Sequence, residues 1–456
     1  MNDWFEAEEH VERARQHFEA NRWAEAESEL RDAISIDPFR SEWHFNLGLT
    51  LEATGRDAEA HRSFREAYEL DSTNEATLLA LGLSSLRLDD YAGSIKWFEE
   101  AAKIKPDRPD SYVHRIEAYA RLNDHEQAEV MFYLAIQLPE ADEACAYLNM
   151  AESLLDRNLC DRAIWCLRTA AKADPTLQRV HARLAEAHAT LGRLDRARQL
   201  YLRELRNNPG DVETLLDLGC LLVEMNRLGE AGEKFRRVLE LETDNADAHF
   251  YLGDLAERQG HADAAVASHR LVLRLDAAHS PARRRLAGLL ARRGDLPDAQ
   301  RLLQRELRSL DHDAALFTDS DLEEFGSLLL DAQMPKEAIT ALTILVDRQP
   351  ESAKAHHTLA VAFLCAGDLR GGLRSCQAAL RIDPEYVPAM HNVALALMRD
   401  GRWLKARKWV NRARAIDADD PSLRRLRAKL WMHAFSQTMQ ATRIRCLKLW
   451  HKLRPW

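Results

Sequence analysis

Residues 41–74 read SEWHFNLGLTLEATGRDAEAHRSFREAYELDSTN, and residues 75–108 read EATLLALGLSSLRLDDYAGSIKWFEEAAKIKPDR. The two stretches align without a gap, which indicates an internal repeat with a period of 34 residues. The same frame continues from residue 7 to residue 420, with one extra residue before 144 and five extra residues, AALFT, at 314–318. The frame therefore predicts twelve units.

Each unit has the spacing of two amphipathic helices, which we name helix A and helix B. In the second unit His44, Leu47 and Leu51 form one apolar stripe, and Ala60 and Phe64 begin another. A turn at residues 55–57 separates the two stripes. One hairpin cannot bury both stripes by itself, so successive hairpins are expected to stack into a solenoid.

The twentieth place of every unit carries a small residue, as a close approach of two helices requires. These residues are Ala26, Ala60, Ser94, Ala128, Ala163, Ala197, Ala231, Ala265, Ala299, Ala338, Gly372 and Ala406. With the apolar stripes and the proline that often follows helix B, this pattern resembles the tetratricopeptide repeat (TPR) family over residues 7–420. The resemblance implies an all-α, right-handed superhelical solenoid of twelve helix-turn-helix repeats, with the A helices lining a groove that binds protein partners.

Three residues depart from the family pattern. Glu204 and Glu306 stand at a usually small place of helix B, and His269 stands at a usually aromatic place. We expect looser packing around all three.

The predicted organisation has five parts. Residues 1–6 are a lead-in, residues 7–313 hold units 1–9, residues 314–318 form an irregular joint, residues 319–420 hold units 10–12, and residues 421–456 form basic C-terminal cap helices. A capping box that begins at Ser320 is expected to restart the helix after the joint.

The sequence contains no nucleotide-binding loop, nucleophile elbow or HExxH motif, so we expect no enzyme activity, no catalytic residue and no cofactor. His357 and His391, with Cys365, are the one metal-like group, and we interpret them as polar groove lining, so no metal is expected. The acidic start and the seven cysteines without a CxxC pair favour a cytoplasmic protein.

The expected groove positions mix apolar and acidic side chains. Those chosen as partner-binding residues are Phe45, Leu49, Leu79, Leu83, Glu117, Glu152, Leu216, Asp217, Glu224, Phe250, Tyr251 and Asp254. In units 4–8 the groove positions hold eleven acidic residues and four arginines. A groove of one charge attracts a ligand of the opposite charge, so we expect a basic, amphipathic protein segment as the partner. Solubility alone would also explain the acidity.

The chain has a net charge of −10, which disfavours nucleic acid as a partner. Its one dense basic cluster outside the tail lies at 283–285 and 292–293 and is expected to pair with Asp263, Asp276 or Asp298.

Residues 421–456 contain nine lysines and arginines and no acidic residue. Their apolar side chains allow two interpretations: a cap over the last unit, or a helix that also docks on an acidic partner, a second copy or an anionic membrane. The residues concerned are Trp431, Ile444, Leu447, Trp450 and Leu453.

The sequence thus predicts a non-enzymatic protein-interaction scaffold. Two alternatives remain: a regulatory or substrate-recruiting subunit of a separately encoded enzyme, and an adaptor that acts through its basic C-terminal helix.

Overall fold

The computed structural model describes residues 3–139, 142–312 and 314–452, and within these residues the regular secondary structure is helical throughout. The helices are α1 (Asp3–Glu19), α2 (Trp23–Ile36), α3 (Ser41–Ala53), α4 (Asp57–Leu70), α5 (Glu75–Arg87), α6 (Tyr91–Ile104), α7 (Asp110–Arg121), α8 (His125–Gln137), α9 (Glu143–Asp156), α10 (Cys160–Ala173), α11 (Val180–Thr190), α12 (Leu194–Asn207), α13 (Val212–Glu224), α14 (Leu228–Leu241), α15 (Ala246–Arg258), α16 (Ala262–Leu275), α17 (Ser280–Arg293), α18 (Leu296–His312), α19 (Asp319–Asp331), α20 (Pro335–Arg348), α21 (Ala353–Cys365), α22 (Leu369–Ile382), α23 (Val387–Arg399), α24 (Trp403–Ile416) and α25 (Pro421–Lys452), with a 3₁₀ helix at Ala314–Leu316.

The twelve predicted helical hairpins are confirmed. Odd-numbered helices from α1 to α23 are the A helices, and even-numbered helices from α2 to α24 are the B helices. One boundary is corrected, because α1 begins at Asp3 and residues 3–6 therefore belong to the first A helix rather than to a separate lead-in.

The small residues at the twentieth place are buried, as predicted. All ten alanines and Ser94 are at most 1% exposed, and Gly372 is also buried. A leucine at these places would have to displace the facing helix, so the small side chains set the distance between helices A and B.

Each turn from helix A to helix B contains a residue with a positive φ, always at the fifteenth place of its unit. This left-handed conformation costs glycine the least energy, and asparagine tolerates it next best. The twelve residues are Asn21, Gly55, Asp89, Asn123, Asn158, Gly192, Asn226, Gly260, Gly294, Gln333, Gly367 and Gly401.

The chain forms two compact units, residues 1–241 and residues 242–456. In the first compact unit, Phe64 and Phe98 are fully buried between stacked hairpins. In the second unit, one apolar cluster extends from α16 to α21 and includes Phe317 and Phe325, whose ring centroids are 6.1 Å apart. The insertion at residues 314–318 therefore lies inside the second compact unit.

The insertion is held by specific contacts. The guanidinium of Arg348 donates hydrogen bonds to the carbonyl oxygens of Phe317 and Ala314, at 2.7 and 2.6 Å. The expected capping box at Ser320 is wrong, because Thr318 and Asp321 form the box at the start of α19. A boundary between units 1–9 and units 10–12 at this insertion stays a proposal.

The expectation of loose packing at Glu204 and Glu306 is also wrong. Both carboxylates are buried and receive hydrogen bonds from the start of the preceding A helix. Glu204 accepts from the backbone N–H groups of Arg179 and His181, at 2.9 and 3.2 Å. Glu306 pairs with Arg283 at 2.5 Å. Each carboxylate thus joins helix B to helix A within its hairpin.

The C-terminal region contains one long helix, α25, where two were expected. Leu423 and Leu426 are buried against the last repeat, and His433 stacks on Trp403 with ring centroids 3.8 Å apart. These residues form the cap, whereas Trp431 is 67% exposed and contributes little to it. The side chains of Ile444, Leu447 and Trp450, and the whole of Leu453, lie outside the described residues.

Candidate protein-binding surface

Three glutamates occupy the ninth place of three successive A helices. They are Glu117 on α7, Glu152 on α9 and Glu186 on α11, and Glu213 and Asp217 follow on α13. Equivalent places of stacked repeats lie side by side, so the three glutamates form one row. Arg183 lies 3.0 Å from Glu186 and 3.8 Å from Glu213, and the charges of these two glutamates act on Asp217, so all five carboxylates belong to one surface. We call it the acidic groove.

The acidic groove contains a pocket of about 160 Å³. Its lining comes from three A helices of the first compact unit, α7, α9 and α11, and is mostly charged: Glu117, Ala120, Arg121, Asn149, Glu152, Leu155, Asp156, Arg183 and Glu186.

Arg183 ties part of the acidic groove together. Its Nε lies 3.2 Å from Glu152, and its Nη1 lies 3.0 Å from Glu186. Glu213 pairs with Arg179 and lies 3.8 Å from Arg183. Two arginines therefore form ion pairs with three glutamates, so the negative charge of these glutamates is only partly compensated.

The other two carboxylates, Glu117 and Asp217, form no hydrogen bond or ion pair with any described residue. Burial raises the pKa of Asp217 to about 6, and Glu213 and Glu186 contribute to this increase. Burial and the charge of Glu152 likewise raise the pKa of Glu117. A bound cation would relieve the cost of ionising both groups.

We expect the Asp217→Asn variant to be more stable than the wild type at high pH only. The folded-state pKa of about 6 exceeds the ordinary value of 3.8, so ionisation lowers stability as pH rises through this interval. The substitution should raise the free energy of unfolding by about 1–2 kcal/mol at pH 8 and leave it unchanged near pH 3.5. Urea unfolding at both pH values measures this effect. The exposed Asp195→Asn is the control, and equal gains in both variants at pH 8 would contradict the prediction.

The apolar groove residues of units 2 and 3 are half-buried. The ring of Phe45 packs on Phe64 at 5.6 Å, and Leu79 and Leu83 pack on the cluster around Phe98. Leu49 packs similarly and also lines a pocket of about 190 Å³ between α1 and α3. The lining of this pocket is largely apolar and includes Val11, Ala14, Phe18 and Leu30. The first compact unit thus offers both an apolar pocket and an acidic one.

The remaining predicted groove residues are distributed over both units. On α13, Leu216 is half-buried, whereas Glu224 is exposed at the end of the helix. In the second compact unit, α15 carries Phe250, Tyr251 and Asp254, all of them half-buried.

The basic cluster of helix α17 is neutralised by ion pairs, and of the three expected partners one, Asp263, is among them. Every one of its five arginines has a carboxylate partner: Arg283 with Glu306, Arg284 with Asp321, Arg285 with Glu324, Arg292 with Glu257 and Arg293 with Asp263. These paired guanidinium groups form no open phosphate-binding patch.

The imidazole of His357 is hydrogen-bonded to the Asn392 side chain at 2.9 Å, and His391 contacts the same amide at 3.2 Å. Asn392 therefore occupies the space between the two histidines and makes them a polar network, as interpreted from the sequence.

Comparison with known proteins identifies the class. A TPR model matches residues 11–75, 148–212, 216–280 and 324–387, and two further TPR models match residues 363–430 and 76–108. The first model alone matches more than half of the chain. The chain belongs to the tetratricopeptide repeat family, whose fold points to protein interaction rather than catalysis.

Among individual proteins, the chain is 21% identical to human protein O-mannosyl-transferase TMTC3 over 361 residues, which is 78% of the chain and 35% of that protein. It is 24% identical to mouse Superkiller complex protein 3 over 258 residues, 54% of the chain and 16% of that protein. The chain thus spans about a third or less of these relatives. The structure of yeast Tom70 covers 97% of the chain and is itself covered to 98%, with a TM-score of 0.40 and 13% identity.

None of the helices in the described parts of the chain is long and apolar enough to span a membrane.

Proposed function

We propose that this protein is a non-enzymatic scaffold that binds a basic, amphipathic segment of a partner protein in the acidic groove. The observation that carries the proposal is the alignment of Glu117, Glu152 and Glu186 beside the half-buried Asp217. Lysine or arginine side chains of a partner would stabilise these carboxylates, and its apolar side chains would enter the pocket between α1 and α3.

The family assignment supports a scaffold, since TPR solenoids present extended binding surfaces. The names of the relatives support two kinds of scaffold. Superkiller complex protein 3 is named as a component of a complex, and TMTC3 is named as a transferase. A regulatory or substrate-recruiting subunit would co-purify with one dominant enzyme at fixed stoichiometry, whereas an assembly scaffold would co-purify with several proteins.

We expect a charge reversal in the groove to weaken partner binding about 100-fold and to reduce its salt dependence. The variant is Glu117→Lys, Asp156→Lys and Asp217→Lys, because none of these acids has an ion pair among the described residues. Partners are captured from source cells, their bound segments are identified by cross-linking mass spectrometry, and the affinity of each synthetic segment is measured at several salt concentrations.

The matched control reverses three exposed acids of the B helices, Glu126, Asp195 and Glu233, which changes the net charge equally. The control should bind within about twofold of the wild type. Equal losses in both variants, or cross-linked segments that are acidic, would refute binding of a basic segment in the groove.

The C-terminal helix supports a second binding role, which we propose as an addition to the groove. Beyond His433, the side chains of α25 that are described are all exposed. Trp431, Met432, Phe435 and Met439 form an apolar stripe, and each is more than half exposed. The rings of Trp431 and Phe435 stack at 5.4 Å. A cap needs none of this surface, so we propose that it docks on another molecule.

The double variant Trp431→Ser and Phe435→Ser should keep the stability of the wild type, since both side chains are exposed, and should lose an interaction. Sedimentation detects a second copy, flotation with anionic vesicles detects a membrane, and pull-down detects a partner protein. A variant that melts earlier and retains every interaction would show that these residues only cap the repeats.

A further inference from the structure

A fully buried histidine replaces an aromatic residue in the eighth unit. His269 occupies the place that holds Phe64, Phe98 and Phe235 in units 2, 3 and 7. Its side chain is inaccessible to solvent, and neither ring nitrogen has a hydrogen-bond partner among the residues that the structure describes. A buried polar group without a partner is destabilising, so native proteins rarely retain one without a bound water, ion or functional role.

The imidazole of His269 faces a second unpartnered atom. Oδ1 of Asp254 is buried, has no hydrogen-bond partner, and lies 3.8 Å from Nε2 of His269. Glu257 follows one helical turn after Asp254 on α15, and the ligating atoms of all three residues lie within 4.8 Å of one another. Two helices of one hairpin therefore direct three potential metal ligands toward one point.

We propose that Asp254, Glu257 and His269 form a binding site for a divalent transition-metal ion such as Zn²⁺. Zinc binds nitrogen and carboxylate oxygen at about 2.0–2.2 Å, so two of its ligands lie up to about 4.2 Å apart. The 3.8 Å between His269 and Asp254 already satisfies this limit, and a carboxylate oxygen of Glu257 lies within 4.8 Å of both groups. The imidazole favours Zn²⁺ over Mg²⁺ or Ca²⁺. Three protein ligands leave a fourth position for water.

The charges around the site are compatible with a cation. Arg292 pairs with Oε1 of Glu257, which leaves Oε2 for the metal, and Arg285 lies 3.7 Å from Asp254 without a hydrogen bond to Oδ1. A neutral imidazole can donate a lone pair from its ring nitrogen to a metal ion.

The test uses the full chain, stripped with chelator and titrated with Zn²⁺ by calorimetry. The seven cysteines and eighteen histidines provide other sites, so the informative quantity is the difference between variants. His269→Phe introduces the residue of units 2, 3 and 7 and is expected to fold. It should bind one Zn²⁺ per chain fewer than the wild type, and Asp254→Asn should weaken this site at least about tenfold.

The matched control is His357→Phe, which removes an imidazole from another hairpin and should leave the Zn²⁺ stoichiometry at this site unchanged. Zn²⁺ should raise the melting temperature of the wild type and of this control more than that of His269→Phe, whereas Mg²⁺ should have no such effect. The proposal is overturned if His269→Phe binds as much Zn²⁺ as the wild type, or if the wild type binds none at micromolar Zn²⁺ because a buried water joins Asp254 to His269.

Discussion

Glu306→Ala should lower the free energy of unfolding by about 3–5 kcal/mol, although most other units carry a small residue at this place. Glu306 is 1% exposed and accepts hydrogen bonds from Arg283 and Ser280. Within the described part of the chain, alanine would leave the buried guanidinium of Arg283 with the carbonyl of Ala277 as its one remaining hydrogen-bond partner. The substitution that introduces the residue most common at this place of the repeat is thus expected to destabilise the protein strongly. Urea unfolding, with hydrogen exchange resolved for α17 and α18, measures the loss.

A second substitution separates the ion pair from simple packing. In units 3, 7 and 10 the place of Arg283 holds a leucine: Leu78, Leu215 and Leu322. Arg283→Leu combined with Glu306→Ala removes both charges and should recover most of the lost stability, because an apolar pair can replace a buried ion pair. A double variant as unstable as Glu306→Ala alone would show that the loss comes from the cavity.

Phe98→Ala should also lower stability by about 3–5 kcal/mol. The ring of Phe98 is fully buried, covers Gly82 and stacks on His114 with centroids 5.5 Å apart. Gly82 is required by this contact, since a Cβ there would lie 2.4 Å from the ring. Removing the ring leaves a cavity where α5, α6 and α7 meet. Contacts in a solenoid link mainly adjacent repeats, so hydrogen-exchange protection should fall in these three helices and persist in α21–α24.

Trp165→Ala is the control for Phe98→Ala, because it removes a larger ring that is 60% exposed. It should cost about 1 kcal/mol or less. A uniform loss of protection from α1 to α24 in Phe98→Ala would mean that the repeats unfold as one block, contrary to the nearest-neighbour prediction.

Much of the fold could be predicted because the same residue types recur at the same places in every unit. A small residue at the twentieth place of all twelve units identified the close contact within each hairpin. The fifteenth place carries a similar signal, six glycines and four asparagines, which marks the left-handed residue of each turn. The cap was predicted less well, since extending the repeat frame suggested a break that the residues near 437 do not supply. Without glycine or proline there, α25 continues to Lys452.

The start of α19 shows where the sequence pattern was ambiguous. Thr318 with Asp321 and Ser320 with Glu323 both have the spacing of a capping box. Only the path of the chain through the 3₁₀ helix, held by Arg348, places Thr318 at the helix start.

For the candidate binding surface too, some features follow from the sequence and others only from the tertiary structure. The sequence by itself determined the repeat, the hairpins and the alignment of Glu117, Glu152 and Glu186, because equivalent places of stacked repeats become neighbours. Only the tertiary structure decided which charges are compensated: Arg183 pairs with two of these glutamates, whereas Asp217 has no ion pair among the described residues. It also showed that Glu306 pairs with Arg283 and that the ring nitrogens of His269 have no hydrogen-bond partner among the described residues. Periodicity specifies which face a side chain occupies, whereas ion pairs and ligand geometry depend on side-chain distances between helices that no repeat pattern encodes.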